Sequence, residues 1–249
     1  MTATSTAEAQ TYEILGETVT LPVEIREARA EFAMFWVPRG PVTELLAGTG
    51  LVAAQPVPGR AVVTLIAVKY LDGDLGPYNE AGVAFMVRPY GSAPVSTARD
   101  VAGFWRGEAI AYIHELPVNQ AFTLRAGCDI WGFPKWMADI SIETGRRSTV
   151  CTLADGGRDI WRFELGRGIG GFSASGAEMQ SYSRRDGVLR TVPWVTDNRG
   201  VRFRPGGARL ELGDHPLADM LRSIGLPRRA AACGSIDNFR ATWGAADVL

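Results

Sequence analysis

Short segments rich in β-branched and aromatic residues recur along the whole chain, and turn-forming residues separate them. Clear examples are 61–71, 82–88 and 110–116, and 29 glycines and 14 prolines supply many of the breaks. Many short strands with few helices between them are typical of an antiparallel β-barrel or sandwich. The sequence therefore predicts a mainly β fold.

The remaining elements follow from the same pattern. Residues 1–10 are expected to form a flexible tail, and 11–249 a single domain, since no repeat or linker divides them. Two helices are predicted, at 41–47 and at 215–224 with Asp214 as N-cap. Segment 97–106 is ambiguous. The other predicted strands are a hairpin over 12–25 that turns at Gly16-Glu17, then 31–37, 121–125, 137–143, 148–153, 159–165 and 201–211.

Composition excludes several classes of protein. Hydrophobic residues make up 46% of the chain and charged residues 21%, which is enough apolar material for a core. A net charge of −1 argues against nucleic acid or an anionic membrane as partner. The start has no basic and apolar leader, and three widely spaced cysteines favour a reducing compartment. We therefore expect a cytoplasmic protein.

Two glycine-containing motifs resemble functional sites but are not interpreted as such. The run Gly166 to Gly171 matches GxGxxG, but no helix pattern follows it, so we interpret it as a glycine-rich turn followed by a polar loop. The stretch Gly171 to Ser175 narrowly misses a serine-hydrolase elbow. Only His114 and His215 could act as a base or bind zinc, and they are far apart. No metal and no cofactor are predicted.

Lysine is rare in this chain. Of 26 basic residues only Lys69 and Lys135 are lysines, and Lys135 lies in an apolar run, Cys-Asp-Ile-Trp-Gly-Phe-Pro-Lys-Trp-Met. Burial disfavours the ammonium form, and a free amine attacks carbonyl groups to give a Schiff base. A side chain that reaches from a hydrophobic turn to water would explain the same pattern. The residues alone leave both interpretations open.

At this point the sequence resembles a known family, the acetoacetate decarboxylase superfamily. The run 127–135 is similar to its Gly-x-(Glu/Asp)-Ile-Trp-Gly-Phe-Pro-Lys motif, and 75–82 to its Gly-x-Tyr-x-Glu-x-Gly segment; 213–227 resembles the broader family's ending. The resemblance implies a closed, cone-like antiparallel β-barrel with a few short helices. It also implies a homo-oligomer that acts on a small carbonyl substrate without a cofactor.

The resemblance also implies a set of site residues. Lys135 would form the Schiff base, and Glu80 would bind substrate or move protons near the reacting carbon. An arginine near the N-terminal hairpin, Arg26 or Arg29, would meet the substrate carboxylate. The remaining residues expected to bind substrate are Tyr78, Phe85, Trp131, Phe133 and Trp136.

The chain departs from the decarboxylase pattern at two positions. Trp136 stands where decarboxylases carry a second lysine, and Leu65 aligns with one of their glutamates. Relatives with such changes are aldolase-dehydratases or cyclase-like enzymes. We therefore expect a Schiff-base lyase that acts on a keto acid or related carbonyl compound by decarboxylation or aldol and dehydration chemistry, with weak or no turnover of acetoacetate. The alternative is a non-catalytic barrel that binds a small apolar ketone or a polyketide-like ligand.

Overall fold

The structure is a computed structural model that describes residues 10–92, 98, 101–102 and 110–249. The predicted tail at 1–10 and the ambiguous segment 97–106 lie mostly outside the described residues. Strands dominate, as predicted. The strands are β1 Thr11–Ile14, β2 Glu17–Thr20, β3 Val23–Pro38, β4 Arg60–Gly73, β5 Tyr78–Val87, β6 Ile110–Glu115, β7 Asp139–Thr144, β8 Ser148–Asp155, β9 Arg158–Gly166, β10 Ile169–Arg185, β11 Val188–Pro205, β12 Ala208–Leu212, β13 Ala232–Trp243 and β14 Asp247–Val248; the helices are α1 Arg39–Leu45, α2 Ala121–Trp131 and α3 Pro216–Ser223.

Eight strands form the main sheet, in the order β10-β6-β5-β4-β3-β13-β11-β14. Strand β10 also pairs with β11, so the hydrogen-bonded ladder passes through seven strands and returns to its start. One pairing differs from the antiparallel prediction, because β10 runs parallel to β6. A parallel pair needs a long crossover, and here α2 and β7 to β9 provide it.

A second sheet, with the order β12-β9-β8-β7, packs against one face of the main sheet. Side chains alternate between the two faces of a strand, so one set of main-sheet residues enters this core. Phe35, Leu65 and Phe85 belong to it and are fully buried together with Trp161 and Phe163 of β9. We call this face the second-sheet face.

The opposite face of the main sheet packs against helix α2, and we call it the α2 face. The predicted strand at 121–125 is therefore wrong, because these residues begin α2. The helix starts at Gln120, whose side chain accepts a hydrogen bond from the backbone N–H of Thr123 at 2.9 Å. It ends at Gly132, which has a φ of 64°. Thr123, Ala126 and Ile130 share its buried side, a helical spacing that a five-residue window cannot show.

The long hairpin of β10 and β11 was also not predicted. Its strands have 17 and 18 residues, yet the sequence indicated a polar loop after residue 177 and a strand only at 201–211. The predicted strand at 201–211 spans the end of β11, a turn and most of β12. Residues 169–180 are exposed on both faces, so no alternation marks them. Backbone pairing alone defines this ribbon.

The predicted helix at 215–224 is observed as α3, with one correction at its start. His215, and not Asp214, is the N-cap, and its Nδ1 accepts a hydrogen bond from the N–H of Leu217 at 3.1 Å. Among the described residues, no helix combines the length and the apolar character that crossing a bilayer requires.

Candidate active site

The end of α2 directs Lys135 back along the helix. After Gly132, the N–H of Phe133 donates to the carbonyl of Gly127 at 3.0 Å, and the N–H of Lys135 donates to the carbonyl of Phe133 at 2.8 Å. The chain thus reverses over the last helical turn. A Cβ atom on Gly127 would lie 2.5 Å from both Cδ and Cε of Lys135. The lysine stem therefore packs in space that only a glycine leaves free.

The Lys135 amine meets Glu80 in the interior. Its Nζ lies 2.8 Å from Oε2 of Glu80, and the two side chains are 4% and 10% exposed. Glu80 reaches this position from β5, where it pairs in register with Val68 of β4 on the α2 face. The interpretation that Lys135 reaches from the turn to water is therefore wrong. Two opposite charges buried together compensate each other's loss of hydration.

Three further polar groups surround this ion pair. The hydroxyl of Tyr70 donates to Oε1 of Glu80 at 3.0 Å, and Nζ of Lys135 donates to Oγ1 of Thr123 at 3.3 Å. Nζ also lies 5.3 Å from the ring centre of Tyr78, which stacks on Tyr70 at 4.2 Å. Each partner stabilises either the cation or the carboxylate. The arrangement is a closed network around one amine.

The two tyrosines act as hydrogen-bond donors rather than as anions. Burial raises the pKa of both Tyr70 and Tyr78 well above 10, and the negative charge of Glu80 raises them further. Both phenols therefore keep their protons at neutral pH. Sequence reasoning missed Tyr70 and Thr123. Finding them requires the β4–β5 register and the helical spacing of Thr123 to Gly127, neither of which a single motif shows.

Trp131 and Phe133 pack in the core beside this network. The indole N–H of Trp131 donates to the carbonyl of Gly244 at 2.8 Å. Both rings contact Trp243, with ring centres 6.3 and 5.9 Å away. Phe85 lies on the second-sheet face, 4.9 Å from the ring of His114. A role of these three rings in substrate binding stays a prediction.

Trp136 points to the other face from Lys135. Its indole N–H donates to Oε2 of Glu115 at 2.7 Å, and its ring stacks on His215 at 6.3 Å. These residues line a cavity of about 380 Å³ whose lining does not include Lys135 or Glu80. Burial raises the pKa of Glu115 and lowers that of His114, which also lines this cavity. Contact of Trp136 with substrate stays a prediction.

The two candidate arginines occupy different places. Arg26 pairs with Asp72 at 2.9 Å and with Asp74 at 2.6 Å on the surface. Arg29 lines a separate cavity beside Glu31. Neither arginine has a contact with Lys135 or Glu80 among the described residues, so an arginine for the substrate carboxylate is not identified.

Leu65 does not share a face with Glu80. It is buried on the second-sheet face, whereas its neighbour Ile66 pairs with Gly82 on the α2 face. Ile66 lies 3.9 Å from where a Cβ of Gly82 would be. A glutamate at position 65 would therefore point to the second-sheet face, away from Glu80. A glutamate on the same face as Glu80 would have to occupy a neighbouring position of β4, such as 66.

Comparison with known proteins identifies the family of this chain. The family model described as acetoacetate decarboxylase (ADC) matches residues 22–249. The chain belongs to the acetoacetate decarboxylase family. Enzymes of this family are lyases or aldolases, and the resemblance seen in the motifs at 75–82 and 127–135 is confirmed at the level of the family. A search of curated proteins found no significant match.

Solved structures show the same fold. The acetoacetate decarboxylase of Legionella pneumophila subsp. pneumophila str. Philadelphia 1 superimposes with a TM-score of 0.67 at 16% identity, covering 92% of this chain and 87% of that one. The enduracididine biosynthesis enzyme MppR, in complex with the condensation product of pyruvate and imidazole 4-carboxaldehyde, gives 0.64 at 14% identity, with 98% of each chain covered. An acetoacetate decarboxylase-like enzyme from Sphingomonas wittichii RW1 gives 0.55 at 14% identity, with 94% and 96% covered.

Proposed function

We propose that this protein is a lyase that forms a Schiff base between Lys135 and a keto acid or related carbonyl compound. The observation that carries the proposal is a buried amine 2.8 Å from a buried carboxylate. An imine-forming lysine needs a way to lose its proton and a group that takes the proton up. Glu80 is placed to be that group.

The proton balance of the pair sets the first step. Nζ of Lys135 and Oε2 of Glu80 are 2.8 Å apart, close enough for direct transfer of a proton. Transfer of the proton from Nζ to Oε2 leaves a neutral amine beside a neutral acid, and neither form leaves a net charge in the interior. The amine then attacks the carbonyl carbon to give a carbinolamine. Protonation of its hydroxyl by Glu80 releases water and gives the iminium ion.

Two routes lead from the iminium ion, and the same pair of residues serves both. With a β-keto acid, the bond to the carboxylate breaks, carbon dioxide leaves and the electron pair moves into an enamine. Glu80, ionised when water left, takes a proton from solvent and passes it to the enamine carbon. With pyruvate, the ionised Glu80 removes a proton from the methyl carbon, the enamine attacks an aldehyde, and Glu80 returns that proton to the new alkoxide oxygen. Hydrolysis of the resulting iminium ion releases product and returns Lys135.

The solved neighbours include enzymes of both routes. MppR is described with pyruvate and with a pyruvate condensation product, and the Legionella protein is described as a decarboxylase. The choice rests on the departure of this chain from the decarboxylase pattern at Trp136, whose indole bonds to Glu115 on the face away from Lys135. We propose condensation or dehydration chemistry on an α-keto acid, with weak or no decarboxylation of acetoacetate.

Borohydride trapping with pyruvate tests the proposal. The wild-type protein should gain the mass of one reduced pyruvate, and peptide mapping should place it on Lys135. Lys135→Arg should give no adduct, because a guanidinium does not give up its proton. Lys69→Arg is the matched control, since Lys69 is the other lysine of the chain and lies exposed on β4.

Two results would contradict the proposal. An adduct on Lys69 would show that the buried amine is not the nucleophile. Absence of any adduct with α-keto and β-keto acids would favour the alternative, a barrel that binds a small apolar ketone or polyketide-like ligand without forming a bond to it.

A further inference from the structure

A second cavity, of about 260 Å³, lies where β3 and β13 of the main sheet meet the β8–β9 hairpin. Its polar lining includes Arg29, Glu31, Thr149, Arg167 and Asp237. Arg29 and Glu31 flank Ala30, which packs on the α2 face where Glu80 lies. Because neighbouring residues of a strand point to opposite faces, this cavity is separate from the Lys135 site.

Glu31 forms the inner wall of the cavity and has an unused acceptor. Its side chain belongs to a residue that is only 5% exposed. Oε1 accepts a hydrogen bond from Oγ1 of Thr149 at 3.3 Å, but Oε2 is buried without a hydrogen-bond partner among the described residues. Burial raises the pKa of Glu31 to about 7. A buried carboxyl oxygen without a partner costs stability, so a ligand that donates to it would offset that cost.

The mouth of the cavity carries unpaired positive charge. Arg29 and Arg167 are exposed, neither forms an ion pair within 4.0 Å in the described part of the chain, and the charge of Arg29 acts on Glu31 by lowering its pKa. Asp237, by contrast, is paired with Arg202 at 3.0 Å. The cavity therefore presents two guanidinium groups outside and one hydrogen-bond acceptor inside. Guanidinium groups suit carboxylates, which they can bind with two parallel hydrogen bonds.

We propose that this cavity binds a small amino- or hydroxy-carboxylic acid. The ligand carboxylate pairs with Arg29 and Arg167, and its ammonium or hydroxyl group donates to Oε2 of Glu31. The volume is just below the usual range for drug-sized ligands, so the site suits a small molecule. The sequence drew attention to Arg29 and to the glycine-rich turn around Arg167, and this site gives both a shared role.

Calorimetric titration with four probes tests the proposal. L-Serine and L-lactate carry both a carboxylate and a donor, whereas acetate lacks the donor and ethanolamine lacks the carboxylate. None of the four has a keto or aldehyde group, so none can form an imine with Lys135. L-Serine and L-lactate should bind saturably, and acetate and ethanolamine at least tenfold more weakly. Lys135→Arg should leave the L-serine affinity unchanged.

Single variants locate the binding. Arg29→Gln and Arg167→Gln are exposed substitutions that should keep the fold and weaken L-serine at least tenfold. Arg209→Gln is the matched control, because Arg209 is 70% exposed on β12 and is not part of the cavity lining. Glu31→Leu should lose binding while its melting temperature is kept or raised.

The proposal fails if neither L-serine nor L-lactate binds saturably. It also fails if Arg29→Gln and Arg167→Gln bind L-serine as tightly as Arg209→Gln does. A loss of L-serine binding in Glu31→Leu supports the proposal only if that variant melts cooperatively. If it does not, the Arg29→Gln and Arg167→Gln variants alone decide whether the cavity is the binding site.

Discussion

Gly127→Ala should separate the chemistry of the site from the stability of the fold. The new Cβ would lie 2.5 Å from Cδ and Cε of Lys135 and 3.1 Å from Nζ. Carbon atoms in contact prefer a separation of about 3.5–4.0 Å, so the lysine stem must retreat by about 1 Å. The stem is flexible, and it can move without displacing the backbone. Its amine then leaves its position beside Glu80 and Thr123.

The two consequences differ in size. Replacing a glycine inside a helix by alanine stabilises the helix by about 1 kcal/mol, and this gain offsets part of the cost of moving the buried amine away from Glu80, so the free energy of unfolding should change little. A displacement of about 1 Å at a reacting group costs about 10²-fold in rate. The rate of pyruvate trapping should therefore fall about 100-fold in a protein whose stability changes little.

Urea denaturation and time-resolved borohydride trapping measure the two effects on the same samples. Gly40→Ala is the matched control, because Gly40 lies in α1 and a Cβ there would meet nothing within 4 Å. It should gain stability and trap pyruvate at the wild-type rate. If Gly127→Ala also traps at the wild-type rate, the position of the amine against α2 does not matter and the argument is refuted.

Three further predictions follow from the same contacts. Glu80→Gln keeps the Lys135 nucleophile and should still trap an adduct, but turnover should fall about 10²-fold or more in a steady-state assay, because the proton transfers assigned to Glu80 are lost. Unchanged turnover would make Glu80 a structural residue. Tyr70→Phe keeps the ring stack and removes one hydrogen bond to a charged group, so urea denaturation should show a loss of about 1–3 kcal/mol, and no loss would mean that the bond is not formed. Burial raises the pKa of Glu31 from 4.5 to about 7 in the folded state. Its contribution to the free energy of unfolding, about 3 kcal/mol, is therefore fully present below pH 4.5 and is lost as the pH rises through 7. Glu31→Gln should remove this slope in unfolding curves at pH 5 and 8, and a slope that survives would belong to other groups.

The strands that sequence alone predicted well are those with a buried face. Strands β4 and β5 are long apolar runs, because both of their faces meet a core, and such runs are visible in any window of eight residues. The β10–β11 ribbon was missed for the opposite reason. Its first half buries neither face, so its composition carries no information about its pairing.

The site shows the same division between local and long-range information. Lys135 could be found because it is one of two lysines and lies in an apolar motif, and Glu80 because its segment resembles a family motif. Their contact, and that of Tyr70 with Glu80, depends on the register of β4 against β5 and on the turn after Gly132. No spacing along the chain encodes these distances. Arg26 and Arg29 could not be assigned for the same reason, because their positions in the sequence do not show which face of the main sheet each side chain occupies.

The pairing of β3 with β13 joins two segments that are far apart in the sequence. Val23 pairs with Trp243 and Met34 with Ala232, so one of the two neighbours of β3 is synthesised long after β3 itself. Until then β3 has an open hydrogen-bonding edge, which can pair with another chain. Contacts so distant in sequence also slow folding. Completion of the ladder must therefore wait for the synthesis of β13, and removal of β13 would leave the edge of β3 exposed for good.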